Sequence, residues 1–169
     1  ILVHTYTCHP SLAVNELSGP LVTAFLAKEI KKISNRYFSY RFVFATETIG
    51  AIAFLSKKGN YLKKNLVSGY ICTCVGHNSI ITYKKSKLGS SFADFSVENF
   101  LNKKKKLKKK IINFSPSGSD ERQYCSLGYN LPVGSLMRKP YGKYKEYHTS
   151  LDNKKLISFN SMFETIKIY

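Results

Sequence analysis

The sequence predicts an α/β fold in which a mostly parallel sheet is flanked by helices. Strand-like apolar runs alternate along the chain with segments of helical spacing, and this alternation is typical of α/β layers. The strand-like runs are almost continuously apolar, as in parallel strands that are buried on both faces. The 169 residues suffice for one domain with its own core, and they are too few for two full domains. We therefore expect a single domain over residues 1–169.

The predicted strands are short runs rich in β-forming residues, and turn-forming residues follow most of them. The first begins at Ile1 and breaks at the segment Cys8-His9-Pro10-Ser11. The five predicted strands are 1–7, 41–45, 69–75, 80–83 and 132–137.

Helical spacing of apolar residues predicts three helices after these strands. Ser18 is the expected N-cap of the first helix. The second helix opens near Gly50 and is expected to break at Gly59-Asn60. The third is expected to run over residues 91–110, so that its far end consists almost entirely of lysine.

Lysine dominates the charge of the chain. There are 27 Lys and Arg against 10 Asp and Glu, which gives a formal net charge of +17, and seven lysines lie between Lys103 and Lys110. Two interpretations of this run stay open: the solvated end of a helix, or a patch that binds nucleic-acid phosphates or an anionic surface weakly. Because no aromatic residue interrupts the run, we expect no specific nucleic-acid binding.

The compartment is predicted from the cysteines and from hydropathy. The four cysteines match neither a disulfide framework nor the spacing of a zinc ribbon, so we expect reduced thiols in a cytoplasmic protein. No stretch approaches the roughly 18 uninterrupted apolar residues of a membrane span. The chain starts at Ile1 inside a strand-like run, and we expect it to be part of a longer protein.

Three successive predicted strands end in a potential metal ligand or proton-transfer group. These residues are His9, Glu47 and His77. In parallel sheets, ligands bind beyond the carboxyl ends of the strands, so the three side chains are expected at one edge. Each of these residues, taken alone, could also have a purely structural role. Glu47, for example, could be an acidic residue that stabilises the start of a helix.

Three further residues are candidates for the same site. Glu16 follows His9 by seven residues and could reach the same ion across one loop, although an acid before a helix is also favourable in itself. Asp120 lies in a polar turn and could instead pair with Arg122. His148 could ligate a metal while Asp152 or a backbone carbonyl orients its ring.

Five collinear motifs carry a resemblance to a known family. The chain resembles a bacterial family of aminopeptidase-like zinc proteins, which is similar in turn to the M28-type zinc aminopeptidases. The motifs are Cys8-His9-Pro10-Ser11, Asn15-Glu16-Leu17-Ser18-Gly19-Pro20, Glu47-Thr48-Ile49-Gly50, Gly118-Ser119-Asp120-Glu121-Arg122-Gln123-Tyr124-Cys125 and Glu146-Tyr147-His148-Thr149-Ser150-Leu151-Asp152.

The resemblance implies a three-layer zinc-peptidase-like sandwich that binds one or two Zn²⁺ ions. His9 matches the first metal-ligating histidine of the family, and His148 matches the last. The segment Asn15-Glu16 matches the part that supplies a carboxylate, and we favour Glu16 because Asn15 brings no charge. Glu47 matches the position of the general base.

The resemblance also implies a catalytic role for Asp120, and we predict that Arg122 and Tyr147 bind substrate. The chain departs from the family where an Asp is expected after Cys74-Val75-Gly76: it has His77, which we keep as a predicted zinc ligand. The family proteins are longer at both ends, so we expect the chain to be an incomplete domain.

Two functions of different classes follow. The first is a zinc-dependent aminopeptidase or related amidohydrolase, acting on peptide or amide bonds through activated water, with Glu47 as the base. The second is a catalytically inactive form of the fold that acts as a basic binding module for anionic polymers or surfaces. The sequence leaves the substrate, the number of metal ions and homo-oligomerisation open.

Overall fold

The computed structural model describes residues 1–169 and contains one six-stranded mixed sheet. The strands are β1 (Leu2–Tyr6), β2 (Arg41–Ala45), β3 (Gly69–Cys72), β4 (Ile81–Lys84), β5 (Lys109–Ile112) and β6 (Val133–Met137). The helices are α1 (Ser18–Lys31), α2 (Ile49–Asn65), α3 (Phe92–Lys103), α4 (Glu121–Tyr124) and α5 (Phe159–Ile168), with a π-helical turn over Ala13–Leu17 and a 3₁₀ turn over Lys154–Leu156.

The order of the strands confirms the predicted α/β class. The order is β2-β1-β3-β6-β4-β5, and every neighbouring pair is parallel except β4 with β6. Consecutive residues of β1 enter opposite layers: Leu2 packs with Leu55 of α2, whereas Val3 packs with Val22 of α1. The sheet is therefore the middle layer between helices on both faces. No helix is both long and apolar enough to cross a membrane.

The second helix does not break where the sequence predicts. Helix α2 continues through Gly59-Asn60 to Asn65. A Cβ atom at Gly59 would come within 2.2 Å of the Tyr129 ring, so the glycine permits close packing here rather than ending the helix. Ser18 is not a cap either: its hydroxyl donates to the carbonyl of Val14 and accepts from the Val75 amide, because the π-helical turn runs directly into α1.

The third helix ends earlier than predicted. Helix α3 stops at Lys103, and the last lysines of the run enter β5, which the sequence did not reveal. Ile111 and Ile112 pair with β4, and such β-branched residues favour a strand. The ammonium of Lys109 donates to the Lys104 carbonyl at 3.1 Å, so it covers the exposed end of α3.

Helix α3 begins at a dense hydrogen-bond cluster around the buried carboxylate of Asp94. This carboxylate accepts from the hydroxyl of Tyr83 and from the hydroxyl and amide of both Ser86 and Ser91, at 2.6–3.0 Å. Burial raises the pKa of Asp94, but the bonds from Ser86 and Ser91 outweigh it, and the net pKa lies below the ordinary value of 3.8.

We expect Asp94→Asn to destabilise the protein by about 1.5–3 kcal/mol at neutral pH, since it weakens bonds to a charged group. A carboxyl group whose pKa is lower in the folded than in the unfolded protein stabilises the fold at pH values above its unfolded-state pKa. This stabilisation is lost as the pH falls through the pKa of the folded state. Urea unfolding of the unmodified chain and of Asp94→Asn should therefore give a difference in the free energy of unfolding that becomes smaller below pH 3.8. A difference that stays constant with pH would contradict the assignment.

Candidate metal-binding site

The candidate site lies beyond the carboxyl ends of β1 and β2. The loop after β1 brings Cys8 and His9 to this edge, and the turn after β2 brings Glu47. The π-helical turn after the β1 loop carries Glu16 back toward the same point. Parallel pairing of β1 with β2 places both strand ends on one side of the sheet, which is why residues distant in sequence converge.

Three side chains form a group of potential metal donors. The Cys8 sulfur, a ring nitrogen of His9 and a carboxylate oxygen of Glu16 lie within 4.8 Å of one another. His9 Nδ1 lies 3.0 Å from Glu16 Oε1, and the Cys8 amide donates to Glu16 Oε2 at 2.8 Å. Glu16 is almost fully buried, whereas about half of the His9 side chain is exposed. The group therefore has a buried acidic side and a side open to solvent.

His148, from a distant loop, lies beside the His9 ring but is not one of the three clustered donors. Its ring centroid lies 4.9 Å from that of His9. The His148 ring also stacks on Tyr147, with centroids 4.0 Å apart and an interplanar angle of 13°. The backbone of His148 has φ = 57°, a left-handed conformation that is uncommon outside glycine. The loop thus holds His148 next to the half-exposed His9 ring, with Tyr147 stacked on His148.

Glu47 is half-buried beside the donor group. Its amide donates to the Cys8 sulfur at 2.8 Å, which fixes its backbone against the β1 loop. Burial is the largest cause that raises the pKa of Glu47; the Ser119 hydroxyl opposes the rise, the charges of Asp120 and Glu16 add to it, and Arg122 opposes it. A carboxylate with a raised pKa is a better proton acceptor, as a general base requires.

A strained turn follows Glu47. Thr48 has φ = 62° and ψ = −67°, and the Ile49 amide donates to the Glu47 carbonyl at 2.7 Å, which together define a γ-turn of the rare positive-φ form. A β-branched residue in this region is an outlier that costs about 1–3 kcal/mol unless its surroundings hold it. Two contacts do so: the Thr48 amide donates to Asp120 Oδ1 at 2.7 Å, and Arg122 Nη2 donates to Thr48 Oγ1 at 3.2 Å.

Asp120 is fully buried and holds the amide of Thr48, the residue after Glu47, rather than lying among the donors. Its second oxygen, Oδ2, lies 3.2 Å from His4 Nε2, and His4 Nδ1 lies 2.5 Å from the Tyr124 hydroxyl. The predicted alternative of an exposed Asp120–Arg122 pair is wrong, because the carboxylate is buried and both residues contact Thr48 instead.

Sequence reasoning missed His4 and Cys8. His4 is a fully buried ionisable residue in the middle of the buried strand β1, and an ionisable residue inside a strand-like run is the signal that could have identified it. Cys8 stands next to His9, and thiolates ligate zinc. Burial is the main cause that raises the pKa of Cys8, and this burial cannot be recognised from the sequence.

The structure does not bring His77 into the donor group. The His77 ring lies 6.3 Å from the Tyr144 ring, and its buried Nδ1 has no hydrogen-bond partner. Burial, followed by the charge of Lys139, lowers the pKa of His77, so the neutral imidazole is favoured. His77 therefore contacts the Tyr144 ring and is not among the three clustered donors.

Asn15 and Asp152 have structural contacts. The Asn15 side chain donates to the Tyr6 hydroxyl at 3.2 Å, away from the donor group. The Asp152 carboxylate accepts from the amides of Val14 and Asn15 and from the Tyr144 hydroxyl. Asp152 therefore ties the His148 loop to the π-helical turn, and the expectation that it orients the His148 ring is not met.

The donor set fits zinc. Thiolate sulfur, imidazole nitrogen and carboxylate oxygen are the ligands that Zn²⁺ takes in proteins, usually four at a time. The buried carboxylate of Glu16 has no Lys or Arg partner, and its contacts are the His9 ring and the Cys8 amide. A buried carboxylate is stable only with a compensating charge, and a cation held by these residues would supply it.

Comparisons with known proteins identify the family and the fold of the chain. A family model described as a domain of unknown function (DUF4910) matches residues 1–169. A proposed polysaccharide biosynthesis protein with an aminopeptidase-like domain, from Clostridium acetobutylicum, is 45% identical over the whole chain, which spans 38% of that protein.

Solved structures have the same fold. A proposed peptidase from Clostridium acetobutylicum superposes with a TM-score of 0.93 and 43% identity, covering 99% of this chain and 39% of that one. A zinc aminopeptidase from Bacillus subtilis superposes with a TM-score of 0.77 at 14% identity, covering 99% and 44%. At that identity the likeness shows the fold alone. The chain therefore belongs to the DUF4910 family and has the fold of the zinc aminopeptidases.

Proposed function

We propose that these residues form the metal-binding and proton-transfer part of a zinc-dependent, aminopeptidase-type hydrolase. The observation that carries the proposal is the convergence of the buried Glu16, His9 and Cys8 donors at one strand edge, next to the half-buried Glu47. The aminopeptidase-like relatives support it. Because the chain spans about two fifths of those relatives, the activity of a whole protein is part of the proposal.

His9, Glu16 and His148 would hold the zinc, and Cys8 is the fourth donor within reach. Bound zinc supplies Lewis-acid polarisation of the substrate carbonyl and makes water a better nucleophile near neutral pH. His77 stays a predicted ligand that the geometry does not favour, since it lies outside the donor group. Residues 1–169 would act as a single catalytic domain.

Glu47 would accept the proton of the attacking water and pass it to the leaving amine. Its half-buried position and raised pKa favour both transfers, because a base with a pKa closer to the working pH can take and return the proton. Asp120 and Arg122 would fix the turn that carries Glu47. Asp120 is therefore a positioning residue in this proposal, and not a group that touches substrate.

Substrate would enter from the open side of the donor group. Tyr147 borders that side, and burial raises its pKa to about 12, so the hydroxyl stays protonated and can donate a hydrogen bond at neutral pH. Arg122 stays a predicted substrate-binding residue for a charged substrate end. Its guanidinium is held beside Glu47 by the contact with Thr48.

We expect the purified chain to contain about one zinc ion, as in a mononuclear catalytic site. The double variant His9→Ala/His148→Ala removes two donors and should lose the metal. Elemental analysis of both proteins measures this directly. About two ions per chain would instead indicate a dinuclear site, with the Glu16 carboxylate as the bridging group.

His77→Ala is the matched control, because it removes a histidine near the site that the structure leaves outside the donor group. It should keep the zinc content of the unmodified chain. Absence of zinc from a folded chain, shown to be folded by circular dichroism, would contradict the proposal. Loss of zinc in His77→Ala alone would reassign the ligand set.

A further inference from the structure

The lysine run lines a groove that shares no residue with the candidate donor group. This lysine groove is a cleft of about 1090 Å³ between the segment that follows α3 and the C-terminal helix α5. Five lysines of the run line it, and Lys167 of α5 lies in the opposite wall. The five are Lys103, Lys104, Lys105, Lys106 and Lys108. None of the donor residues of the candidate site belongs to it.

The positive charge of the groove has no counter-charge in the molecule. None of its six lysines forms an ion pair. Glu164 is the single carboxylate in the lining, and it is bound to Arg138, which also donates to the Ser79 carbonyl. Six lysines without a carboxylate partner around one cleft repel one another, although the Lys104 and Lys167 ammonium groups each cover a phenylalanine ring. A bound polyanion relieves that repulsion while releasing counterions.

The shape and side chains of the groove select among polyanions. A concave cleft is a poor match for the flat surface of a membrane. The Phe100 ring is the one aromatic ring in the lining, and the Lys104 ammonium covers it at 5.5 Å from the centroid, so no open ring remains for stacking nucleic-acid bases. The lining also lacks a free guanidinium for forked phosphate recognition, because Arg138 is committed to Glu164.

The other groups that line the groove suit a flexible polysaccharide in which many of the sugar units carry one negative charge each. Lysine ammonium groups act as point charges and tolerate variable carboxylate positions. Asn78 and Ser79 add polar groups for hydroxyls, and Ile80 and Leu107 offer small apolar surfaces for the C–H faces of sugar rings. We propose that the lysine groove binds a linear acidic polysaccharide. This binding does not depend on the proposed hydrolase activity.

The test uses the 169-residue chain and fluorescein-labelled oligogalacturonate, followed by fluorescence anisotropy. We expect saturable binding that weakens on the order of tenfold or more when salt rises from about 50 to 200 mM, because several lysine contacts displace counterions. A neutral oligosaccharide of equal length should not bind. Lack of any binding to oligogalacturonate at low salt would overturn the proposal.

Two charge-matched variants separate the groove from net charge. The groove variant replaces Lys103, Lys105, Lys106 and Lys108 by Ser, and the control replaces four exposed lysines of α2, namely Lys57, Lys58, Lys63 and Lys64. The groove variant should lose at least tenfold in affinity, and the control should stay within about threefold. Equal weakening in both would show a non-specific charge effect and overturn the proposal.

Competition identifies the class of polyanion. Unlabelled polygalacturonate should displace the probe more effectively than single-stranded poly(dT) or vesicles of anionic lipid at equal charge. If poly(dT) or the vesicles compete better, the groove serves another partner and the proposal fails. Zinc content should be the same in the groove variant as in the unmodified chain, so a failure here and a failure of the proposed hydrolase function are distinguishable.

Discussion

Glu47→Gln should reduce hydrolysis of an aminoacyl anilide by about 10²–10⁴-fold, the usual contribution of a positioned general base. Glutamine keeps the size of the side chain and removes its ability to accept a proton. The Glu47 amide would still donate to Cys8, so the β1 loop and the donor group should stay in place. Measured kcat should carry the loss, and zinc content and the midpoint of thermal unfolding should not fall.

Glu29→Gln is the matched control for this variant. Glu29 lies on the exposed face of α1, where it pairs with Lys32, and a pair of this kind contributes about 0–1 kcal/mol. Activity of Glu29→Gln should equal that of the unmodified chain. Hydrolysis that survives Glu47→Gln unchanged would exclude Glu47 as the base, and parallel loss of zinc would show that the carboxylate holds the metal instead.

Two general rules together predict from the sequence that side chains at the ends of the first two strands lie close to each other. Buried parallel strands are continuous apolar runs, and their carboxyl ends share an edge of the sheet. His9 and Glu47 each follow such a run, so their proximity followed without knowledge of side-chain positions. For His77 the same reasoning stays a prediction: β3 ends at Cys72, five residues earlier, and His77 is not among the three clustered donors.

The missed features depend on partners that sequence periodicity does not reveal. Gly59 stays inside α2 because the Tyr129 ring fills the space of a side chain there. The strand β5 exists because Ile111 finds a partner strand in β4. The buried His4 is stabilised inside the sheet by two partners that are distant in sequence. Asp120 faces its Nε2 atom, and Tyr124 faces its Nδ1 atom. Each of these outcomes is a tertiary contact that overrides a local preference.

Asp120→Ala should lower kcat by about 10–100-fold and leave KM and zinc content nearly unchanged. The variant removes the acceptor of the Thr48 amide and leaves that half-buried amide without its partner. The strained turn at Thr48 can then relax, and Glu47 moves with it. A displacement of about 1 Å in a reacting group can cost about 100-fold, whereas substrate affinity and the metal donors do not depend on this turn.

Two further variants show whether Asp120 acts by positioning Glu47. Asp120→Asn keeps an oxygen for the Thr48 amide, so its kcat should lie between those of Asp120→Ala and the unmodified chain. Its new amide would face His4 Nε2, which can accept if His4 Nδ1 donates to Tyr124. Thr48→Gly accepts the positive φ without strain and keeps the amide, so it should retain most of kcat. If Asp120→Ala lowers only the thermal midpoint and not kcat, the role of Asp120 is structural and Glu47 is held by its bond to Cys8 alone.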